Sequence, residues 1–238
     1  MRPVIGITCP RSEETWGIGE QGRVYDYVGR DYSAAIYQAG GFPVLIPAIA
    51  DEEDLEDRAR QVLQMVDGLF FSGGGDRRAA AAVSEIPTLY NQQPIRSRWE
   101  DTLVKLAYEQ DTPCLGVCRG YQMMAVAFGG AMDTLRLPEH RQTLPAHQGV
   151  HNIYPASMLA AIVGDEPWFV NSLHVERVRI VPEDFTIAAR AEDGSIEAIA
   201  AVGKTFFLGT QFHPELMPDE PKSQAIFRRL IDAACTSR

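Results

Sequence analysis

The chain has 238 residues, 45% hydrophobic and 23% charged, a balance that suits one α/β domain spanning 1–238 and excludes a disordered chain. A formal net charge of −10, with no run of Lys or Arg to offset it, repels phosphate backbones and argues against nucleic acid as a partner. The apolar stretches are too short for a membrane span, and the run Val4-Ile5-Gly6-Ile7 is broken by Pro10, Arg11 and Glu13 before it reaches signal-peptide length; a cytoplasmic protein without membrane contact is expected.

Short apolar runs alternate with helical patterns through the first half. Val4-Ile5-Gly6-Ile7, Val44-Leu45-Ile46, Leu69-Phe70-Phe71 and Cys114-Leu115-Gly116-Val117 lack polar alternation and are bounded by Gly, Pro or Asp, the pattern of buried parallel strands. Between them, Val28, Tyr32, Ala35, Ile36 and Ala39 share one helical face. So do Leu55, Ala59, Val62, Leu63 and Val66, with Asp51 as the expected N-cap, and a third face carries Trp99, Leu103, Leu106 and Ala107. This order predicts a doubly wound, mostly parallel sheet with helices on both faces. In the second half, Val175 to Val181, Phe185 to Arg190, Ile196 to Ala200 and Phe206 to Gln211 are closely spaced and punctuated by turns such as Asp193-Gly194. They are expected as hairpin-linked antiparallel strands added to the sheet, and Ser223 to Ala234 as a closing helix.

The sharpest chemical feature is Gly116-Val117-Cys118-Arg119-Gly120, a Gly-x-Cys-x-Gly turn between an apolar strand and a helix, which has the form of a nucleophile elbow. Small residues on either side let strand and helix approach closely while the nucleophile takes a strained conformation. A helix N-terminus beside a thiol, with an imidazole in reach, stabilises its thiolate. Cys9, Cys114, Cys118 and Cys235 lack the spacing of a zinc site or a disulfide framework, so reactivity is the property to look for; Cys114, inside an apolar strand, reads as core.

A thiolate attacking an amide needs a base that can return a proton to the leaving nitrogen and a group that orients that base. His213-Pro214-Glu215 follows a strand end and offers both; if the segment stays extended, as Pro214 encourages, residues 213 and 215 point the same way. Taken alone, so short a tripeptide reads better as a surface turn. Ser72-Gly73-Gly74-Gly75-Asp76 follows another strand and can aim N–H groups at an oxyanion, with the amide of Arg119 as the second donor; the Lys-Ser/Thr of a phosphate loop is missing.

These residues resemble the class I glutamine amidotransferase superfamily, within it the γ-glutamyl-γ-aminobutyrate hydrolase branch, over nearly the whole chain. The marks are Tyr32, Ala39-Gly40-Gly41-Phe42-Pro43, Ser72-Gly73-Gly74, Arg96 with Glu100, Gly116 to Gly120 with Gln122, Asn171-Ser172-Leu173-His174, and His213-Pro214-Glu215. The resemblance implies a flavodoxin-like amidotransferase fold and a Cys118-His213-Glu215 triad acting through a γ-glutamyl thioester. It further implies oxyanion donors at Gly74 and Arg119, substrate contacts at Gln122, His174, Gly73 and Ser172, no metal or cofactor, and a place in polyamine catabolism. Ser97 stands where this branch commonly has Asp, and Val175-Glu176 where His-Gln is frequent; both departures fall on the acyl-acceptor side.

Three further histidines, His140, His147 and His151, include an i, i+4 pair that would suit a metal on a helix, but Pro138, Pro145 and Gly149 predict a loop at the active-site rim instead. Trp16, Trp99 and Trp168 read as core or rim aromatics. The expected activity is hydrolysis of a small γ-glutamyl amide. A glutaminase subunit feeding ammonia to a separate synthetase is the rival enzyme, and a thiol redox sensor the non-catalytic alternative. A homodimer is the general expectation for a soluble enzyme.

Overall fold

The computed structural model describes residues 1–12, 23–49, 53–74, 89–134, 140–143 and 145–236. Strand β1 (Val4–Thr8) is followed by helix α1 (Arg30–Gln38), β2 (Phe42–Ile46), α2 (Leu55–Met65), β3 (Gly68–Phe71), the short helix α3 (Leu89–Gln92), α4 (Pro94–Glu109), β4 (Cys114–Val117) and α5 (Arg119–Ala127). Then come β5 (Ala131–Thr134), β6 (His151–Pro155), α6 (Ser157–Val163), β7 (Trp168–Val170), β8 (Glu176–Ile180), β9 (Phe185–Ala191), β10 (Ile196–Ala201), β11 (Phe207–Thr210), a 3₁₀ turn (Pro214–Leu216) and α7 (Pro221–Thr236).

Nine strands form one sheet in the order β2-β1-β3-β4-β11-β10-β9-β6-β7. The first five pair in parallel, and from β11 onward every pairing is antiparallel. The doubly wound order with added antiparallel strands is the expected architecture. Alternation within the strands divides the core: Ile5, Ile7, Phe70, Leu115 and Val117 face α1, α6 and α7, whereas Leu69, Phe71 and Cys114 face α2, α4 and α5. Both faces are covered, which is why these strands read as continuous apolar runs. Trp99 and Trp168 are both buried as expected, and Trp16 lies outside the described residues.

One expected strand goes elsewhere. The segment from Val175 to Val181 does not join the main sheet; β8 pairs antiparallel with β5 in a separate two-stranded ribbon, a partner the apolar pattern did not announce. The reason lies in its sequence: Glu176-Arg177-Val178-Arg179-Ile180 buries only Glu176 and Val178 and pairs Arg177 with Asp133 at 2.8 Å, while β10, inside the main sheet, is buried at every position. Helix α2 starts at Leu55 after Asp54 in a left-handed conformation with no side-chain cap; Asp51, the expected cap, is outside the described residues.

Candidate active site

The elbow forms as its glycines require. A β-carbon at Gly116 would stand 2.8 Å from the carbonyl carbon of Gly120, and one at Gly120 would stand 2.1 Å from the Phe71 carbonyl oxygen. With those side chains absent, β3, β4 and α5 close on one another and Cys118 is forced to φ 52° and ψ −104°, a region costly for a residue with a β-carbon. The Cys118 N–H donates to Thr210 O at 2.7 Å, and its carbonyl accepts from Gln122 N at 3.0 Å, so the strain is held by two neighbouring elements. Cys118 stands as the N-cap of α5, half-buried. Cys114 is core as expected, and burial pushes its thiol well above the ordinary range.

β11 delivers His213. The Asn171 side chain pins its backbone, accepting from His213 N at 2.8 Å and donating to His213 O at 2.9 Å. Past His213 the chain does not stay extended: Pro214 opens a 3₁₀ turn, which folds the Glu215 carboxylate back onto the ring, Oε1 to Nδ1 at 2.6 Å. The contact expected from strand alternation is therefore made by a turn, because proline's fixed φ suits its first position. With Nδ1–H donated to the carboxylate, Nε2 is left for the Cys118 sulfur. Burial alone disfavours a charged His213, yet the Glu215 carboxylate and the Cys118 sulfur, with hydrogen bonds to both, carry its pKa well above the usual imidazole value.

The glycine loop is held from behind by Arg96, which is fully buried. Its Nη2 donates to Ser72 O at 2.6 Å and Gly73 O at 3.2 Å, and its Nη1 to Gly74 O at 3.1 Å. The charge is met by Glu100 at 2.8 Å, a carboxylate that also accepts from Thr8 Oγ1 at 2.6 Å and Arg119 Nη1 at 3.3 Å. Three carbonyls are thus turned toward one guanidinium, while the Gly73 N–H donates to the Tyr32 hydroxyl at 3.0 Å. Burial raises the Tyr32 pKa well above its ordinary value, and the charges of Glu215 and Cys118 add to it.

Cys118 and His213 open into one cavity of about 330 Å³, lined also by Gly74, Arg119, Gln122 and His174. The Arg119 side chain is anchored away on Glu100 and on Ser97 Oγ at 2.7 Å, so Ser97, where Asp was the commoner residue, serves as an uncharged acceptor. Gln122 Nε2 donates to Gln211 Oε1 at 3.1 Å and Glu176 O at 3.2 Å. Two expected contact residues sit behind the wall: Ser172 is fully buried with its hydroxyl donating to His140 O at 3.0 Å, and a β-carbon at Gly73 would meet His213 Cε1 at 3.0 Å. Lining residues that sequence reasoning did not select are Arg141, Gln92 and Glu176, the last with its carboxylate accepting from Gln92 Nε2 at 3.0 Å. The substitution Val175-Glu176 was the available signal.

His147 is exposed and lines a different surface cavity, whereas His140 and His151 come together behind the site with Glu197, a ligand atom of each within 4.8 Å of the others. No helix among the described residues is long and apolar enough to cross a membrane.

The Peptidase C26 family model matches residues 3–215. A Mycobacterium tuberculosis protein provisionally named a glutamine amidotransferase is 33% identical, over 98% of this chain and 75% of that one. The γ-glutamyl-γ-aminobutyrate hydrolase of Escherichia coli O157:H7 is 28% identical over 97% of this chain and 93% of its own. Among solved structures, a Thermoplasma acidophilum protein provisionally described as a GMP synthase component shares the fold with a TM-score of 0.64 at 19% identity, covering 99% of this chain and 96% of that one.

Proposed function

Because the chain belongs to the Peptidase C26 family, we propose that it is a cysteine hydrolase of γ-glutamyl amide bonds, acting on γ-glutamyl-γ-aminobutyrate or a related γ-glutamyl amine. The observation that supports this reading is that Cys118 and His213 line one cavity and are hydrogen-bonded, while the Glu215 carboxylate behind His213 holds the ring at 2.6 Å through Nδ1 and leaves Nε2 for the sulfur. In the first half-reaction the Cys118 thiolate forms a C–S bond with the γ-carbonyl carbon, and the oxyanion is met by the N–H groups of Gly74 and Arg119. His213 passes its Nε2 proton to the substrate nitrogen, the C–N bond breaks and the amine departs. In the second, His213 takes a proton from water, the hydroxyl adds to the thioester, and the C–S bond breaks to release glutamate and restore the thiolate–imidazolium pair. Glu215 keeps the ring's tautomer and balances its charge throughout.

The cavity lining includes both signs of charge that a γ-glutamyl group needs met: Arg141 suits its α-carboxylate and Glu176 its α-ammonium, a role on the glutamyl side rather than the acyl-acceptor side expected from the sequence. Intact-protein mass spectrometry with a slow γ-glutamyl substrate tests the proposal. A transient glutamyl adduct on the wild type, absent from Cys118→Ala, is the expected result; turnover without an adduct, or oxidation of Cys118 with no acyl addition, overturns it. A panel of γ-glutamyl amines with glutamine and folate polyglutamate then ranks the leaving group. Ammonia release from glutamine that appears only with a separate synthetase would replace the hydrolase by a glutaminase subunit.

A further inference from the structure

Behind the cavity wall formed by His174 lies a polar cluster that the chemistry above leaves unused. β10 contributes Glu197, β6 contributes His151, and the segments before β6 and β8 contribute His140 and His174. His140, His174 and Glu197 are buried, and Glu197 is wholly so. His140 Nδ1 is 3.2 Å from His174 Nε2 and 3.5 Å from Glu197 Oε1, which is 3.6 Å from His174 Nε2.

Proton accounting makes this arrangement informative. His140 Nε2 faces the Asp193 carboxylate at 3.2 Å, and that carboxylate also accepts from Ser195 N and Oγ; His140 must therefore carry its proton on Nε2. His174 Nδ1 faces the Glu176 carbonyl at 3.0 Å and carries its proton there. His151 Nδ1 does the same toward Asn152 O at 3.3 Å. In neutral rings the remaining nitrogens hold lone pairs, and two of them, on His140 and His174, point at each other. Nothing in either ring can bridge them. The third, His151 Nε2, is buried without a hydrogen-bond partner, and neither oxygen of Glu197 accepts a hydrogen bond.

We propose that His140, His151, His174 and Glu197 form a binding site for one divalent transition-metal ion of the zinc type. Histidines that ligate metals donate their other ring N–H to a carboxylate or a backbone carbonyl, which is the condition of all three here. Ligand atoms around a tetrahedral zinc with bonds of 2.0 to 2.1 Å lie about 3.4 Å apart, and the triangle of His140, His174 and Glu197 has edges of 3.2, 3.5 and 3.6 Å. His151, within 4.8 Å of His140 and Glu197, supplies the fourth position by a movement of its ring. Imidazole-rich sites favour zinc-like ions over magnesium or calcium. A bound ion would tie β6, β10 and the His140 segment to the cavity wall at His174, without taking part in the reaction.

The test uses Co²⁺ as the probe and the full-length Cys118→Ala protein, since an active-site thiolate beside an imidazole would itself capture the ion. The expected result is one equivalent bound, with the intense visible d–d bands of tetrahedral cobalt, and displacement by Zn²⁺. Glu197→Gln and His151→Gln should each weaken binding at least about tenfold, the range seen even for outer-shell changes at metal sites. His151 is half-buried, so its variant keeps the test open if Glu197→Gln fails to fold. Absence of stoichiometric binding, weak octahedral bands, or a spectrum that His151→Gln leaves intact overturns the proposal. Because the thiol is absent throughout, failure here is separate from failure of the hydrolase reading.

Discussion

Two wholly buried glutamates stand behind residues that line the cavity, Glu100 against Arg119 and Glu197 against His174, and their surroundings differ. Glu100, on the parallel side of the fold, receives Thr8 at 2.6 Å, Arg96 at 2.8 Å and Arg119 at 3.3 Å. Glu197, on the antiparallel side, has ring nitrogens at 3.5 and 3.6 Å and no hydrogen bond. A buried charge is tolerated when polar partners surround it, so the first carboxylate is explained by the chain itself. The second has only imidazole nitrogens beside it, the surroundings from which the metal site is proposed. The parallel side holds the proposed nucleophile, base and oxyanion loop at the ends of β4, β11 and β3, and the antiparallel side holds the cluster of the proposed metal site.

The largest effect on the parallel side is expected from the proposed nucleophile. Cys118→Ala should lower kcat by on the order of 10⁴-fold or more, since removing one member of a catalytic group disables the whole, while circular dichroism and thermal unfolding stay near wild type. A variant that keeps a tenth of the activity would sink the assignment. Next comes the support: Arg96→Met leaves the carbonyls of Ser72, Gly73 and Gly74 without their donor and should cost about 3 to 5 kcal/mol of stability, as for a broken buried ion pair. Urea unfolding measures it, and a loss under about 1 kcal/mol, the net worth of one ordinary hydrogen bond, would show that the loop holds itself. A pair of glycines sharpens the contrast further. Gly120→Ala drives a β-carbon against the backbone oxygen of Phe71, which cannot rotate away, and should cost about 3 kcal/mol. Gly203→Ala, in the turn between β10 and β11, meets nothing within 4 Å and should cost only about 1 kcal/mol, from its positive φ alone. Equal losses at the two sites would mean that close approach is not what the elbow needs.

The same division governs what the sequence disclosed. Buried parallel strands are continuous apolar runs, and the elbow's two glycines flank its cysteine within five residues, so both were visible locally. The His213–Glu215 contact was legible as a pair, but its geometry was not, because Pro214 could equally prolong a strand or open a 3₁₀ turn. Arg96 was visible only as a mark of a resemblance, and Tyr32 as that and as part of an apolar helix face; that one clamps the glycine loop and the other meets the Gly73 N–H depends on contacts across the sheet. Of the cluster of His140, His151, His174 and Glu197, only the first two stood together in the sequence, grouped there with His147. Its residues come from four separate segments, and the i, i+4 spacing that drew attention paired His151 with His147, which faces solvent. The β5–β8 ribbon was missed for a related reason, since charged alternation marks a strand without naming its partner.

The smallest effect expected is in the support of the antiparallel side, and it tests whether the histidine and Glu197 cluster is organised from without. Asp193 is partly exposed, and although burial alone would raise its pKa, hydrogen bonds from Ser195 and the proximity of His140 lower it beneath the ordinary value of 3.8. A depressed carboxylate pKa gives stability that is present in full above the unfolded-state value and is lost as pH falls through the folded one. Wild type should therefore exceed Asp193→Asn in stability on the neutral side of pH 3.8, with the gap narrowing as the solution is acidified below it. The measurement is urea unfolding across that range in chelator-treated buffer, so that no metal shifts the baseline. Added salt should shrink the gap as well, because an exposed carboxylate is screened. A gap that widens on acidification would mean that Asp193 is held protonated, which would remove the acceptor that fixes the His140 tautomer.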